Sequence, residues 1–219
     1  LGGFSIAAHP ASSKPELSWR DWTASFDGLE WINGDSEWRD EPWYDLARAL
    51  LAYPFGASRA LGTLIQRPTA ALERWDRRNE ARRTIAVAAS DAHAHIGLGS
   101  LGEPYAATQA IPFPGYEAVL RTFSINLTET QLSGDAAEDT RRVLRAIRRG
   151  HVSSTIDALV APTARVDLRA TSGPARAVGG DVLPIEGPVV ITVDGRWPVD
   201  GRVTLLAPDA AVPPGGRVF

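Results

Sequence analysis

The chain has 219 residues, of which 44% are hydrophobic and 22% charged, and its net charge at pH 7 is −3. These values are typical of an ordinary folded protein and exclude wholesale disorder or a fibrous repeat. The basic charge is almost all arginine, scattered along predicted helices without interleaved stacking aromatics, so we expect no nucleic-acid partner.

The sequence lacks both cysteine and a long apolar stretch. There is no cysteine, so a metal has to be held by histidine and carboxylate side chains, and a thiolate nucleophile or a disulfide is excluded. No apolar stretch approaches the ~20 residues that cross a bilayer, so we expect no membrane partner. The lack of cysteine suits both the cytosol and export, and the compartment stays open.

The first 35 residues predict a strand, a short helix and a second strand. FSIAA is an apolar run that Pro10 stops, which places His9 at the carboxyl end of a strand. PELSWRDWTASF follows with apolar residues at helical spacing and predicts a short helix. DGLEWING predicts a strand between two turn dipeptides, with Glu30 and Asn33 as polar groups near its end. Because LGGFSIAAHP starts without methionine or a charged leader, we expect a truncated or processed chain.

Helices dominate the next part of the sequence. EPWYDLARALLAYPF has an apolar stripe that predicts an amphipathic helix ended by Pro54, and SRALGTLIQ and PTAALERWDRRNEARR predict two more. TIAVAAS then predicts a buried strand, and PGYEAVLRTFSINLTET a turn or short helix leading into a strand. DAAEDTRRVLRAIRRG predicts a helix capped by Asp135 and ended at Gly150.

The pattern changes near residue 152, where short β-branched runs separated by glycine and proline predict antiparallel strands. Before that point, alternating strands and helices favour a parallel sheet with helices outside, an α/β architecture. We therefore predict an α/β domain over residues 1–160 and a small strand-rich appendage over residues 161–219.

Candidate chemistry centres on the strand that ends in Asp91. In parallel α/β folds, functional groups converge at the carboxyl ends of strands, so His9, Asp91 and His93 are expected to share one rim. Alternate residues of an extended segment point the same way, which lets Asp91 and His93 face one ion. A carboxylate with imidazoles suits Zn²⁺, Mn²⁺ or Fe²⁺ when no sulfur is available.

Each of these residues also has a structural interpretation. Asp91 can simply cap a turn, and a histidine before proline can end a strand with its ring nitrogens hydrogen-bonded to the protein. His95 lies one step further along the loop, which favours a place beside the ligands or at the surface, and His151 after Gly150 reads as a surface residue. Six tryptophans lie in about the first third of the chain. They either pack in the core or line an aromatic substrate pocket, and Trp38 is the best candidate for a residue at the entrance of such a pocket.

The segments IAAHP, DGLEWING and AVAASDAHA, in this order and at these separations, resemble the second half of a polymerase and histidinol phosphatase (PHP) domain, in its CehA/McbA-like metallohydrolase branch. The resemblance covers residues 3–160. It implies part of a distorted (β/α)7 barrel with a multinuclear divalent metal cluster at the carboxyl rim. It also implies His9, Asp91 and His93 as metal ligands and Glu30 as a structural residue near the site.

The resemblance further implies hydrolysis of a small-molecule phosphoester, or of an ester or carbamate, by a metal-activated water. We take His95 as the first candidate for the general acid. The family's opening His-x-His strand has no counterpart in the sequence, so we expect the cluster to be completed by upstream residues or a partner chain. Two alternatives remain: a non-catalytic, tryptophan-rich module that binds a sugar or peptide, and an inactive partial barrel that assembles with another chain.

Overall fold

The computed structural model describes residues 3–93, 96–97, 110–111, 113–128, 130–160, 164–196 and 204. The helices in these ranges are α1 (Gly34–Arg39), α2 (Trp43–Ala52), α3 (Ala57–Gly62), α4 (Thr69–Ala81), α5 (Tyr116–Leu120) and α6 (Ala136–Arg148), with a 3-10 turn at Tyr53–Phe55. The strands are β1 (Ile6–Ala7), β2 (Gly28–Asn33), β3 (Ile85–Ala89), β4 (Ile96–Gly97), β5 (Ala110–Ile111), β6 (Ser124–Leu127), β7 (Val152–Thr155), β8 (Arg165–Ser172), β9 (Ala175–Val178) and β10 (Val189–Arg196).

The strands β1, β2 and β3 form a parallel sheet in that order. β2 pairs with β3 from Gly28 opposite Ile85 to Asn33 opposite Ala89. The chain between these two strands forms α1 to α4, the crossover that parallel pairing requires. Since all three strands run in the same direction, the residues that follow them gather along one edge of the sheet.

The core lies against β2. Leu29, the second residue of that strand, is completely buried at 0% exposure and packs with Ala7 and Phe26. Around this cluster lie four partly buried tryptophans, Trp19, Trp22, Trp31 and Trp75. The Trp75 indole on α4 donates a hydrogen bond of 2.7 Å to the carbonyl of Thr84, which ties α4 to the start of β3.

Residues 15–26 form turns, so the helix predicted there was wrong. The carboxylate of Asp21 accepts hydrogen bonds from both the backbone N–H and the hydroxyl of Thr23, at 3.1 and 2.6 Å. Arg78 from α4 donates to the carbonyl of Trp22. These bonds satisfy backbone groups that a helix would have paired internally, and such local competition is why Asp, Ser and Thr favour turns.

The helix over α6 forms as predicted. Asp135 caps it by accepting a hydrogen bond of 2.8 Å from the backbone N–H of Glu138. The helix ends before Gly150, whose φ of +65° is a left-handed conformation that glycine adopts without strain.

Antiparallel pairing prevails in the later strands. β6 pairs with β7, and β8 lies between β10 and β9 in a separate three-stranded sheet. β7 also lies beside β3, where the N–H of Ala88 donates to the hydroxyl of Ser154 at 3.1 Å. The alternating sequence after residue 152 thus predicts the local structure, while the domain division at 160/161 stays a prediction.

The described part of the chain combines helices with parallel and antiparallel sheets, and no sheet within it closes into a barrel. The PHP-type barrel is therefore still a hypothesis from the sequence. None of the helices in the described ranges is long and apolar enough to span a membrane.

Candidate metal centre

Two polar segments meet at the carboxyl edge of the parallel sheet. One is the loop after β3, from Asp91 to His93, and the other is α1, which begins directly after β2. Asn33 and Ala89, the last residues of β2 and β3, pair with each other, so the segments that follow them lie side by side. Both segments line one pocket, which Phe113 and Phe123 border from the later part of the chain.

Three potential ligands come together in this pocket. One ligating atom from each of Asp35, Asp91 and His93 lies within 4.8 Å of the others. The Nε2 atom of His93 is 3.9 Å from Oδ1 of Asp91, and its Nδ1 atom is 3.9 Å from Oδ1 of Asp35. The imidazole ring therefore lies between two carboxylates.

The donor set fits a divalent cation. A separation of 3.9 Å is too long for a hydrogen bond. Ligand atoms about 2.1 Å from one ion lie about 3.4 Å apart in tetrahedral geometry and at most about 4.2 Å apart. The two 3.9 Å separations and the 4.8 Å limit on the whole group are wider than the tetrahedral spacing, so the side chains have to move closer together to hold one ion. Because the two carboxylates face different ring nitrogens, a single ion would bind only one nitrogen of His93. Two carboxylates and one imidazole suit Zn²⁺, Mn²⁺ or Fe²⁺.

Backbone strain marks two of the predicted ligands. Among the described residues, His9 and Asp91 are the non-glycine residues with positive φ, at +34° and +46°. Asp and His tolerate this region better than most residues, but it still costs energy that the surrounding structure has to offset. Such strain clusters at functional sites, and here it coincides with two positions selected from the sequence for metal binding.

Asp35 is held in place by residues of its own helix. Arg39 forms a bidentate ion pair with it, Nε to Oδ2 at 2.5 Å and Nη2 to Oδ1 at 3.0 Å. The indole of Trp38 adds a hydrogen bond of 2.9 Å to Oδ1. An ionised carboxylate has about four acceptor positions, so these three donors orient Asp35 and leave one position, on Oδ2. Oδ1, the oxygen nearer His93, already accepts two hydrogen bonds and would have to exchange one of them for a cation.

His9 is not part of this cluster. Its Nδ1 atom lies 3.1 Å from the carbonyl oxygen of Leu17, and the residue lines a neighbouring groove with Glu30 and Glu37. A carbonyl only accepts, so in the neutral ring Nδ1 carries the hydrogen and Nε2 keeps its lone pair. The structure thus brings Asp91 and His93 together, but not His9 with them. His95, the candidate general acid, lies outside the described residues.

Glu30 supports the site from within β2. Its Oε2 atom accepts a hydrogen bond of 2.7 Å from the backbone N–H of His9 and another of 2.7 Å from the amide of Asn33. The side chain thereby joins the His-Pro turn after β1 to the end of β2. This contact is consistent with the structural role expected for Glu30.

Glu37 on α1 is the acid with the most altered titration near the pocket. The pKa of Glu37 is raised to about 7, chiefly by burial; a hydrogen bond from the backbone N–H of Gln66 opposes the rise, and the charges of Asp40 and Glu41 add to it. Glu37 lines both the pocket with Asp91 and the groove with His9. The two clefts therefore share an acid that exchanges its proton near neutral pH.

The tryptophans divide between structural and pocket positions. Trp19, Trp22, Trp31 and Trp75 pack around the β2 core, as the packing interpretation predicts. Trp38 lines the pocket and binds Asp35, whereas Trp43 on α2 is 79% exposed. In the described part of the chain, the aromatic side chains do not assemble into a tryptophan-lined binding pocket.

Sequence reasoning missed Asp35 as a potential ligand, and it identified Asn33 only as a polar group near the end of β2. Both roles depend on α1, which was not predicted because it has only six residues. A signal was present: Asn33 is a favoured N-cap residue, and Asp35 and Glu37 place acidic charge in the first helical turn. Read together, these residues indicate a helix that begins where β2 ends.

Comparison of the chain with family models, curated proteins and solved structures found no match.

Proposed function

We propose that this chain is a metal-dependent hydrolase of small molecules, acting on a phosphoester or a related ester or carbamate. The observation that carries the proposal is the convergence of Asp35, Asp91 and His93 at the carboxyl edge of the parallel sheet. The PHP-like order of the sequence motifs supports the same chemistry and a barrel architecture. His9 remains a proposed ligand because of that resemblance and because its Nε2 lone pair is available.

The proposed ligands have distinct roles. Asp91 and His93, two residues apart after β3, would hold the ion together with Asp35 of α1. When bound, a divalent ion supplies Lewis acidity and an activated water for hydrolysis. Arg39 and Trp38 keep the Asp35 carboxylate in one orientation, which limits the reorganisation needed when the cation binds.

The charge of the pocket favours a cation. Asp35 and Asp91 contribute two carboxylates, and Arg39 offsets one of them. A divalent ion bound there would leave the pocket with net positive charge while Glu37 is protonated and about neutral when Glu37 is ionised. Anionic substrates such as phosphoesters are therefore favoured below about pH 7. We infer that any multinuclear cluster requires ligands beyond these three, and that His9 is the first of them to test.

Metal binding by variants tests the proposal. Purified wild-type protein is stripped with chelator, and its affinities for Zn²⁺ and Mn²⁺ are measured by titration calorimetry. Asp91→Asn and His93→Gln are expected to weaken binding at least about 100-fold, because each removes a ligand. Asp45→Asn and His151→Gln serve as matched controls outside the pocket and should bind normally.

Activity is then measured on aryl phosphate, aryl acetate and aryl carbamate substrates with and without metal. The expected result is metal-dependent turnover in the wild type and its loss in Asp91→Asn. Failure of the wild type to bind either metal rejects the hydrolase proposal. Binding of a sugar or peptide by metal-free protein would favour the binding-module alternative.

A further inference from the structure

The amide of Asn33 connects the elements that carry the proposed ligands. Asn33 is the last residue of β2 and is 4% exposed. Its Nδ2 atom donates to Oε2 of Glu30 at 2.7 Å and to Oδ2 of Asp91 at 3.3 Å. Its Oδ1 atom accepts from the backbone N–H of Ser36 at 3.0 Å, which caps α1. Both amide hydrogens and the carbonyl oxygen are therefore used.

These bonds reach the ends of all three parallel strands. Asp91 follows β3, and Glu30 in β2 accepts the backbone N–H of His9 after β1. The cap fixes the start of α1, whose first turn contains Asp35. The buried Asn33 side chain therefore contacts one proposed ligand, Asp91, directly. It is linked to Asp35 through the start of α1 and to the turn at His9 through Glu30.

Only an amide meets all of these demands. A carboxylate at position 33 could still cap α1, but it could not donate to Glu30 and Asp91 and would add a third negative charge beside them. A serine could also cap the helix, but its side chain is too short to reach Asp91. Capping and orientation of Asp91 are thus separable by substitution.

We propose that Asn33 is a positioning residue that orients Asp91 and, through the cap of α1, Asp35 toward a shared divalent cation. The inference rests on the proposed function, since it assumes that these carboxylates bind metal. Residues that hold metal ligands by hydrogen bonds commonly change metal affinity 10- to 100-fold when they are replaced.

The test compares two N-cap residues in this chain. Asn33→Ala and Asp135→Ala each remove a side-chain cap, of α1 and α6 respectively, and both are expected to lower the melting temperature. Asn33→Ser restores a cap without restoring the bond to Asp91. Melting temperature and Zn²⁺ affinity by titration calorimetry are measured for all four proteins, including the wild type.

We expect Asp135→Ala to bind Zn²⁺ as the wild type does, although it is less stable. Asn33→Ser should recover much of the stability lost in Asn33→Ala and still bind Zn²⁺ about 10- to 100-fold more weakly than the wild type. Normal Zn²⁺ affinity in Asn33→Ser would reduce Asn33 to a helix cap and overturn the inference alone. No Zn²⁺ binding by the wild type would overturn the proposed function and this inference together.

Discussion

The guanidinium of Arg78 lies over the ring of Phe26, with its central carbon 3.7 Å from the ring centroid. Arg78 belongs to α4, and Phe26 lies in the turn segment before β2. The same guanidinium donates to the carbonyls of Trp22 and Ala24, at 2.5 and 3.3 Å. The Arg78 side chain therefore donates hydrogen bonds to two carbonyls of residues 15–26, in place of the backbone bonds that a helix would make there.

Arg78→Ala is expected to lower the free energy of unfolding by about 1–3 kcal/mol, because two carbonyls lose a charged donor and the aromatic ring loses its cation. Denaturant unfolding at pH 7 measures the change. Arg77→Ala is the matched control, since Arg77 is adjacent but exposed, and its contacts are with Glu73 one turn earlier in the same helix, at 3.3 Å to the carbonyl and 3.8 Å to the carboxylate. Equal losses in the two variants would contradict the role assigned to Arg78.

Leu29→Ala is expected to destabilise the protein by about 2–5 kcal/mol, because it opens a cavity at a completely buried position in β2. Leu51→Ala provides the comparison, since Leu51 on α2 is 75% exposed and its loss should change stability by less than about 0.5 kcal/mol. Thermal and urea unfolding should rank the two variants in this order. A larger loss of stability in Leu51→Ala than in Leu29→Ala would contradict the assignment of Leu29 to the core.

Gly34→Ala should disturb the proposed metal centre through the backbone. A Cβ atom at Gly34 would lie 2.8 Å from the carbonyl oxygen of Ser90 and 3.2 Å from the ring of Phe123. Since Ser90 immediately precedes Asp91, relief of this clash moves α1 away from the loop after β3.

We expect Gly34→Ala to lose about 1–3 kcal/mol of stability and to bind Zn²⁺ more weakly than the wild type. Gly3→Ala is a suitable control, because its Cβ would meet nothing within 4 Å. Melting temperature and calorimetric affinity provide the two measurements. Unchanged values for Gly34→Ala would show that α1 does not pack this closely on the loop.

Asp181 should stabilise the fold in a pH-dependent way. A hydrogen bond from the His151 ring at 2.7 Å holds the pKa of Asp181 below its ordinary value, and the backbone N–H of Val178 acts in the same direction. A carboxyl group whose pKa is depressed by folding binds fewer protons in the folded state than in the unfolded chain. Its contribution is therefore full above about pH 4 and disappears as the pH falls through the folded-state pKa.

Asp181→Asn should accordingly lower stability at pH 7, by about 1 kcal/mol or less because the side chain is 42% exposed. The difference from the wild type should shrink as the pH is lowered below about 4. Asp194→Asn, which loses only an exposed contact of 4.0 Å with Arg169, should show little effect at either pH. A difference that stays constant with pH would exclude this ionisation as its source.

Local sequence patterns predicted many elements of the fold. The apolar stripe of α2, the proline before α4 and the Asp135 cap of α6 each indicated a helix where one forms. The same kind of reasoning failed over residues 15–26, where apolar spacing resembles a helix but side-chain bonds and packing hold turns. Helical spacing alone does not reveal that Arg78, far along the chain, binds those carbonyls.

The candidate site shows the same division. Asp91 and His93 were identified because they follow a buried strand at alternate positions. Both residues lie within one stretch of three, so the sequence alone reveals their spacing. Asp35 was not, because its approach depends on β2 pairing with β3 and on α1 starting against the end of that pair. His9 was expected in the cluster, but its ring lies against Leu17 in the neighbouring groove.

The sequence by itself determined the absence of sulfur ligands, the main helices and the strand that delivers Asp91 and His93, because composition and hydrophobic periodicity are local properties. Only the tertiary structure decided that Asp35 joins those residues and that Asn33 links three strand ends. Those relationships are contacts between distant segments, and they exist only once hydrogen bonding and burial have set the register of the parallel sheet.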